Sequence, residues 1–115
     1  MGTSPTISTT SELEGRAAVF AALGDATRLS LVATLVGGYP RSISQLAQGS
    51  HLTRQAIAKH LRVLEGAGIV RNVRVGRESR FHLRPEPLND LEGYLARVSQ
   101  QWDEALTRLR VLVED

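Results

Sequence analysis

Residues Ser42 to Gly68 carry the pattern that most restricts what this chain can fold into: two short helices joined by a very tight turn. Ser42 and Gln45 have capping-box spacing, in which each side chain bonds the other residue's backbone N–H. Ile43, Leu46 and Ala47 follow as one apolar face. Gly49-Ser50-His51 turns the chain. Thr53 is placed to cap the next helix, with Leu52 and Ile57 as a hydrophobic staple, and Gly66 or Gly68 ends it. These are the proportions of a helix-turn-helix.

The second of the two helices separates its faces. Ile57, Leu61 and Leu64 share one side, while Arg54, Gln55, Ala58, Lys59 and Arg62 recur on another. In a helix-turn-helix the second helix enters the major groove of DNA while its apolar face rests on the domain. Arg54 and Gln55 lie in the first turn, the part that reaches base edges, and a small alanine between long polar side chains permits close approach. Arg41, Ser42, Ser44 and Thr53 suit phosphate contacts that fix register.

Charge supports the same reading. The formal net charge of 115 residues is only +2. Between Arg41 and Arg84, however, nine basic residues face two acidic ones, a net +7, and the remainder carries five basic against ten acidic, a net −5. A basic centre between acidic ends points to a polyanionic partner, the alternative being a solvated charged face. Thirteen of the 14 cations are arginine, whose planar fork suits phosphate and guanine better than a lysine's point charge.

Composition closes other routes. With 42% apolar and 23% charged residues, the chain has the make-up of one ordinary globular domain. The absence of cysteine excludes disulfides, thiolate metal sites and cysteine nucleophiles, and agrees with a cytoplasmic protein. The longest apolar run, Ala17 to Leu23, falls far short of the ~20 residues of a membrane span, and no basic n-region precedes it, so neither membrane contact nor a secretory signal is expected.

Residues 1–10 are polar and interrupted by Pro5, and are expected to form a disordered tail before a single domain over 11–115. Ser11 and Glu14 have capping-box spacing for a first helix that Gly24 ends. Asp25 can cap a second helix, whose Leu29, Val32, Ala33 and Val36 precede Gly37-Gly38. After the helix-turn-helix, alternating runs around Val73 and Phe81 predict two strands joined by a Gly76-Arg77-Glu78-Ser79 loop. Arg74, Arg77 and Arg80 cluster at that hairpin, which could lie along the DNA backbone or insert an arginine into the minor groove. Pro85 and Pro87 break the strand, and a helix over 88–113 follows, about 39 Å long at 1.5 Å per residue. Its stripe is Leu88, Leu91, Leu95, Val98, Trp102, Leu106 (or Ala105), Leu109 and Val113.

Taken together, AALGDATRLSLVATL (Ala21–Leu35), ISQLAQ (Ile43–Gln48), LTRQAIAKHLRVLEGAGIV (Leu52–Val70) and VGRESRFHL (Val75–Leu83) resemble the ArsR/SmtB-like winged-helix transcriptional repressors over roughly residues 13–110. The resemblance implies a mainly α fold with a small β-hairpin wing in the order α-α-α-α-β-β-α, a homodimer, and repression by occupying a double-stranded operator. By the family pattern, Thr53, Arg54, Gln55, Ala56, Lys59 and His60 fall on the reading helix and Arg77 on the wing tip.

Many members of that family sense metals through cysteines beside the third helix or Asp/His/Glu ligands on the last. Here Ile43-Ser44-Gln45-Leu46-Ala47 stands where the cysteine pair would lie, and the last helix holds Asp90, Glu92, Asp103 and Glu104 but no histidine. Transition metals want imidazole or thiolate donors, so the chain matches the metal-independent subgroup, with no metal site, no cofactor and an effector the sequence does not name. The small domain cannot cover the whole stripe of the last helix. Leu88, Leu91 and Leu95 are expected in the protomer's own core, and Trp102, Leu106, Leu109 and Val113, with Leu13, Val19 and Phe20 of the first helix, at a two-fold interface. Trp102 could instead line a ligand pocket. An adaptor for protein or RNA without specific DNA readout is the alternative class, disfavoured by the charged outward face of the second helix. No nucleophile–base grouping or glycine-rich phosphate loop supports an enzyme.

Overall fold

The computed structural model describes residues 9–114. In chain order the elements are α1 (Thr10–Leu23), α2 (Ala26–Leu35), α3 (Ile43–Ala47), α4 (Arg54–Gly66), β1 (Val70–Val75), β2 (Glu78–Leu83) and α5 (Pro85–Glu114). The two strands form one antiparallel hairpin. This is the expected winged helix-turn-helix order.

Caps set most of the boundaries. Asp25 accepts from the Arg28 N–H at 3.0 Å, and Thr53 from the Ala56 N–H at 3.0 Å. The Ser42–Gln45 box is present in both directions, at 3.1 and 2.8 Å. At α1 the box is Thr9–Glu12, two residues ahead of the expected Ser11–Glu14 pair. Both pairs have the required spacing, but the earlier one adds helical bonds such as Leu13 N–H to Thr9 C=O at 3.0 Å. Thr10 therefore opens the helix with Thr9 as its cap, and residues 1–8 of the expected tail lie outside the described residues. Gly68 ends α4 in a Schellman arrangement: Ile69 N–H donates to Leu64 C=O and Gly68 N–H to Glu65 C=O, both at 2.9 Å, with Gly68 at φ +77.

The wing differs from expectation in two ways. Val75 pairs with Glu78, so the loop is only Gly76-Arg77, with Gly76 at φ +64 at the first central position, as a tight hairpin requires. In addition, Arg41 joins the sheet edge. Its N–H donates to Phe81 C=O at 2.9 Å and its C=O accepts from Phe81 N–H at 2.7 Å. The connector before α3 is thereby locked to the wing.

The strand ends before Pro85, as expected, but α5 begins at Pro85 and not at residue 88, since a proline in a first turn gives up an N–H that has no helical partner. The 30 residues of α5 extend about 45 Å. The radius of gyration of 19.0 Å exceeds the ~13 Å of a compact domain of about this size, because the far end of α5 leaves the domain.

Val19 and Ala22 of α1, Leu31, Val32 and Leu35 of α2, Leu46 of α3, Ile57, Leu61 and Leu64 of α4, and Ile69, Val70, Phe81 and Leu91 form the core. Val19, expected at a two-fold interface, is only 8% exposed and belongs to the protomer's interior, because its turn of α1 faces the other helices. Leu95, expected in the core, is half exposed, since the domain ends one turn earlier, beside Leu91. Among the described residues no single helix is long and apolar enough to cross a membrane.

Candidate nucleic-acid interface

The face of α4 opposite the core presents Arg54, Gln55, Lys59 and Arg62, all exposed. Ile57, Leu61 and Leu64 anchor the other face, so this helix cannot roll without unburying three side chains. Ala56 and Ala58 are half-buried between the polar residues, and Thr53 is exposed although its hydroxyl caps the helix. Ser44 is exposed on α3, close to the start of the motif. Among the described residues, Arg54, Lys59, Arg62, Arg74 and Arg77 make no ion pair within the chain. Their charge is available to an outside anion.

Other residues expected at this surface do something else. Ser42 is only 4% exposed, its hydroxyl accepting from Gln45 N–H, so capping α3 takes it out of reach of phosphate. Arg41 is half-buried, held by its backbone bridge to Phe81, and its Nε is buried with no hydrogen-bond partner among the described residues. His60 turns toward the α1–α2 corner, where its Nδ1 lies 3.2 Å from Arg28 Nη1 and 3.8 Å from Asp25 Oδ2. Its spacing accounts for this: with Ile57, Leu61 and Leu64 it completes the core-side i, i+3, i+4, i+7 set.

The three wing arginines do not form one cluster. The register Arg74↔Ser79 and Val73↔Arg80 places Arg74 and Arg80 on opposite faces of the ribbon. Arg80 also pairs with Glu78, Nε to Oε1 at 2.8 Å, a same-face pairing that offsets its charge. Arg77 occupies the tip itself and is exposed. Helix α4 and the wing tip are thus two cationic features on one rigid frame, joined by the Arg41–Phe81 bridge and the shared core.

Sequence reasoning missed the Asp25–Arg28–His60 corner. Its signal was the acidic cap three residues before an arginine. The Asp25 carboxyl is held below its ordinary range, chiefly by the Arg28 backbone N–H it accepts, with the nearby Arg28 charge adding to the effect. It also missed that Asp90 and Arg16 tie α5 to α1.

Residues 16–73 match the family model described as a helix-turn-helix domain. The chain is 39% identical over 80 residues to an uncharacterized HTH-type transcriptional regulator, YuzN, of Bacillus subtilis, a match spanning 64% of this chain and 87% of that one. The structure of an ArsR-like transcriptional regulator from Rhodococcus sp. RHA1 superposes with a TM-score of 0.84 at 37% identity, covering 93% of this chain and 97% of that one. The homodimeric winged helix-turn-helix DNA-binding domain Mb0332 from Mycobacterium bovis, a possible ArsR-family regulator, shares the fold at a TM-score of 0.64 and 22% identity, over 83% and 87% of the two chains. With its exposed cationic α4, its wing and these relatives, the chain belongs to the ArsR-like winged helix-turn-helix transcriptional regulators and is a DNA-binding protein.

Proposed function

We propose that the protein is a homodimeric repressor that binds a palindromic operator in the cytoplasm and responds to no metal. The observation that carries the reading is the pairing of an anchored α4, whose exposed Arg54, Gln55, Lys59 and Arg62 make no ion pair among the described residues, with an exposed Arg77 at the wing tip. Arg54 and Gln55 read base edges from the major groove; Thr53, Ser44, Lys59 and Arg62 set register on phosphates; Arg77, with Arg74, follows the backbone or the minor groove.

The exposed end of α5 supports a dimer. Leu88, Leu91, Leu95, Val98, Trp102, Ala105, Leu109 and Leu112 repeat at alternating three- and four-residue steps, the seam of two packed helices. From Leu95 onward that seam is largely uncovered, with Trp102 64% and Leu109 55% exposed, and Leu13 and Phe20 of α1 are exposed as well. A two-fold pairing of these faces would present two copies of α4 about 34 Å apart or a multiple of it, to an inverted repeat. Occupying such a site hinders transcription by exclusion. Metal independence rests on donor chemistry: the chain has no cysteine, its histidines sit in the turn, α4 and β2, and Asp90 is committed to Arg16.

Selecting bound duplexes from random DNA with the purified protein, while measuring its mass by sedimentation, tests the reading. An enriched inverted repeat bound by a dimer, and unaffected by added divalent metals, is the expected result. No enriched sequence would favour an adaptor, and metal-induced release would overturn the metal-independent assignment.

A further inference from the structure

We propose that Arg28 and His60 form a proton-sensitive link that sets the angle at which α4 meets DNA; this rests on α4 being the reading element. Arg28 lies in the first turn of α2. Its guanidinium reaches two other elements at once. Nε donates to the Ala22 carbonyl at 2.6 Å and Nη2 to the Ala21 carbonyl at 3.4 Å, both in the last turn of α1. Nη1 contacts His60 Nδ1, in the body of α4, at 3.2 Å. One side chain therefore joins the end of α1 and the start of α2 to the helix that presents Arg54 and Gln55.

An arginine can only donate. The contact to Nδ1 therefore requires a neutral His60 whose ring proton sits on Nε2. Protonation makes both ring nitrogens donors. The bond to Arg28 is then lost, guanidinium and imidazolium repel, and the ring is drawn to Asp25 Oδ2, now 3.8 Å away, the same oxygen that caps α2 by accepting from Arg28 N–H. The charged groups facing the ring are Asp25 and Arg28 from the α1–α2 corner; Lys59 and Arg62, its neighbours on α4, are exposed on the outward face. His60 lies on the flank of α4 between its buried stripe and its polar face, so its partners trim the pitch of that face within the play that Ile57, Leu61 and Leu64 allow.

The sign of the effect is distinctive. Protonating histidines near phosphates strengthens DNA binding through added positive charge. Loss of the Arg28–His60 link acts in the opposite direction, by misaligning α4. In the test, a duplex selected from random DNA is titrated with wild type and with His60→Asn, at about pH 8 and about pH 5.5 and fixed ionic strength. The asparagine oxygen takes the place of Nδ1 as an acceptor and does not titrate. His51 and His82 are common to both proteins, so any contribution of theirs cancels in the comparison. On acidification the wild type is expected to weaken relative to the variant by about five- to tenfold, the size of one lost side-chain hydrogen bond.

Parallel pH profiles would overturn the link and leave the DNA-binding reading standing. A wild type that selects no duplex at either pH would overturn that reading and the link with it. A second measurement needs neither DNA nor the variant: in the wild type, the Ala22, Arg28 and α4 amide signals are expected to shift together with the His60 ring as it titrates. A ring that titrates while those amides stay still would sink the proposal.

Discussion

Arg16 on α1 grips Asp90 on α5 through two bonds, Nε to Oδ2 at 2.9 Å and Nη2 to Oδ1 at 3.1 Å. The same guanidinium lies 4.8 Å from the centre of the Tyr94 ring, one turn further along α5. The long helix leaves the domain immediately after this clasp, so Arg16 fixes the direction in which its uncovered seam points.

The clasp predicts an acid-side signature. The Arg16 hydrogen bond holds the Asp90 carboxyl below its ordinary value of 3.8. A carboxyl lowered in the folded state adds stability that is complete above the unfolded value and is lost as pH falls through the folded one. Asp90 is half exposed, so the effect is small. Asp90→Asn should lower Tm slightly at neutral pH, and the difference should vanish in strong acid. Melting curves from neutral pH to about pH 2 check this; a gap that persists in acid would mean the clasp is not electrostatic.

Adjacent residues of α4 should separate folding from binding. Leu61 is fully buried, and Leu61→Ala should cost about 2–5 kcal/mol of stability through lost burial and the cavity left behind. Arg62, its neighbour, is exposed, and Arg62→Ala should leave Tm unchanged while weakening DNA binding. Denaturant unfolding and a gel-shift titration of both variants decide it, and the two effects exchanging places would invert the face assignment.

Base readers and backbone followers should also behave differently. Arg54→Ala and Gln55→Ala should each cost about 1–3 kcal/mol on the selected duplex and little on random DNA. Arg77→Ala should weaken both alike and lower the salt dependence by about one phosphate contact. Titrations at several salt concentrations measure both quantities. Full operator affinity in the Arg54 and Gln55 variants would remove these residues from the reading surface.

What could be read from the sequence was whatever is decided locally. The Asp25, Ser42 and Thr53 caps each need only residues within one helical turn, and the apolar period of α4 fixes its buried face by itself. Features set by competition or by distant partners were less legible. Two overlapping boxes competed at the start of α1, and spacing alone did not rank them. Pro85 and Pro87 end the strand, as expected, and also open the helix, so α5 begins at Pro85 and not at residue 88. The Arg41–Phe81 bridge joins residues 40 apart through one backbone pair, which leaves no periodicity to detect. His60 is instructive because the resemblance was followed where the local spacing also carried information. Family resemblance placed it on the reading helix, and its spacing with Ile57, Leu61 and Leu64, which that reading did not weigh, is what turns the ring toward the α1–α2 corner.

The uncovered seam of α5 gives the last test. Leu109 is more than half exposed and far from the protomer's core, so Leu109→Glu should leave the fold of each chain intact. If two copies pair through this seam, the substitution buries a charge at the contact, which costs far more than it does at a solvated surface. The dimer should then dissociate in sedimentation, and operator affinity should fall by more than about tenfold, because the two half-sites are no longer bound as one event. Val19→Ala is the counterpart: Val19 lies in the protomer's interior, so this variant should lose stability without a matching change in oligomeric state. A Leu109→Glu protein that stays dimeric would move the interface off the far half of α5, and a Val19→Ala protein that dissociates without melting earlier would restore Val19 to the interface.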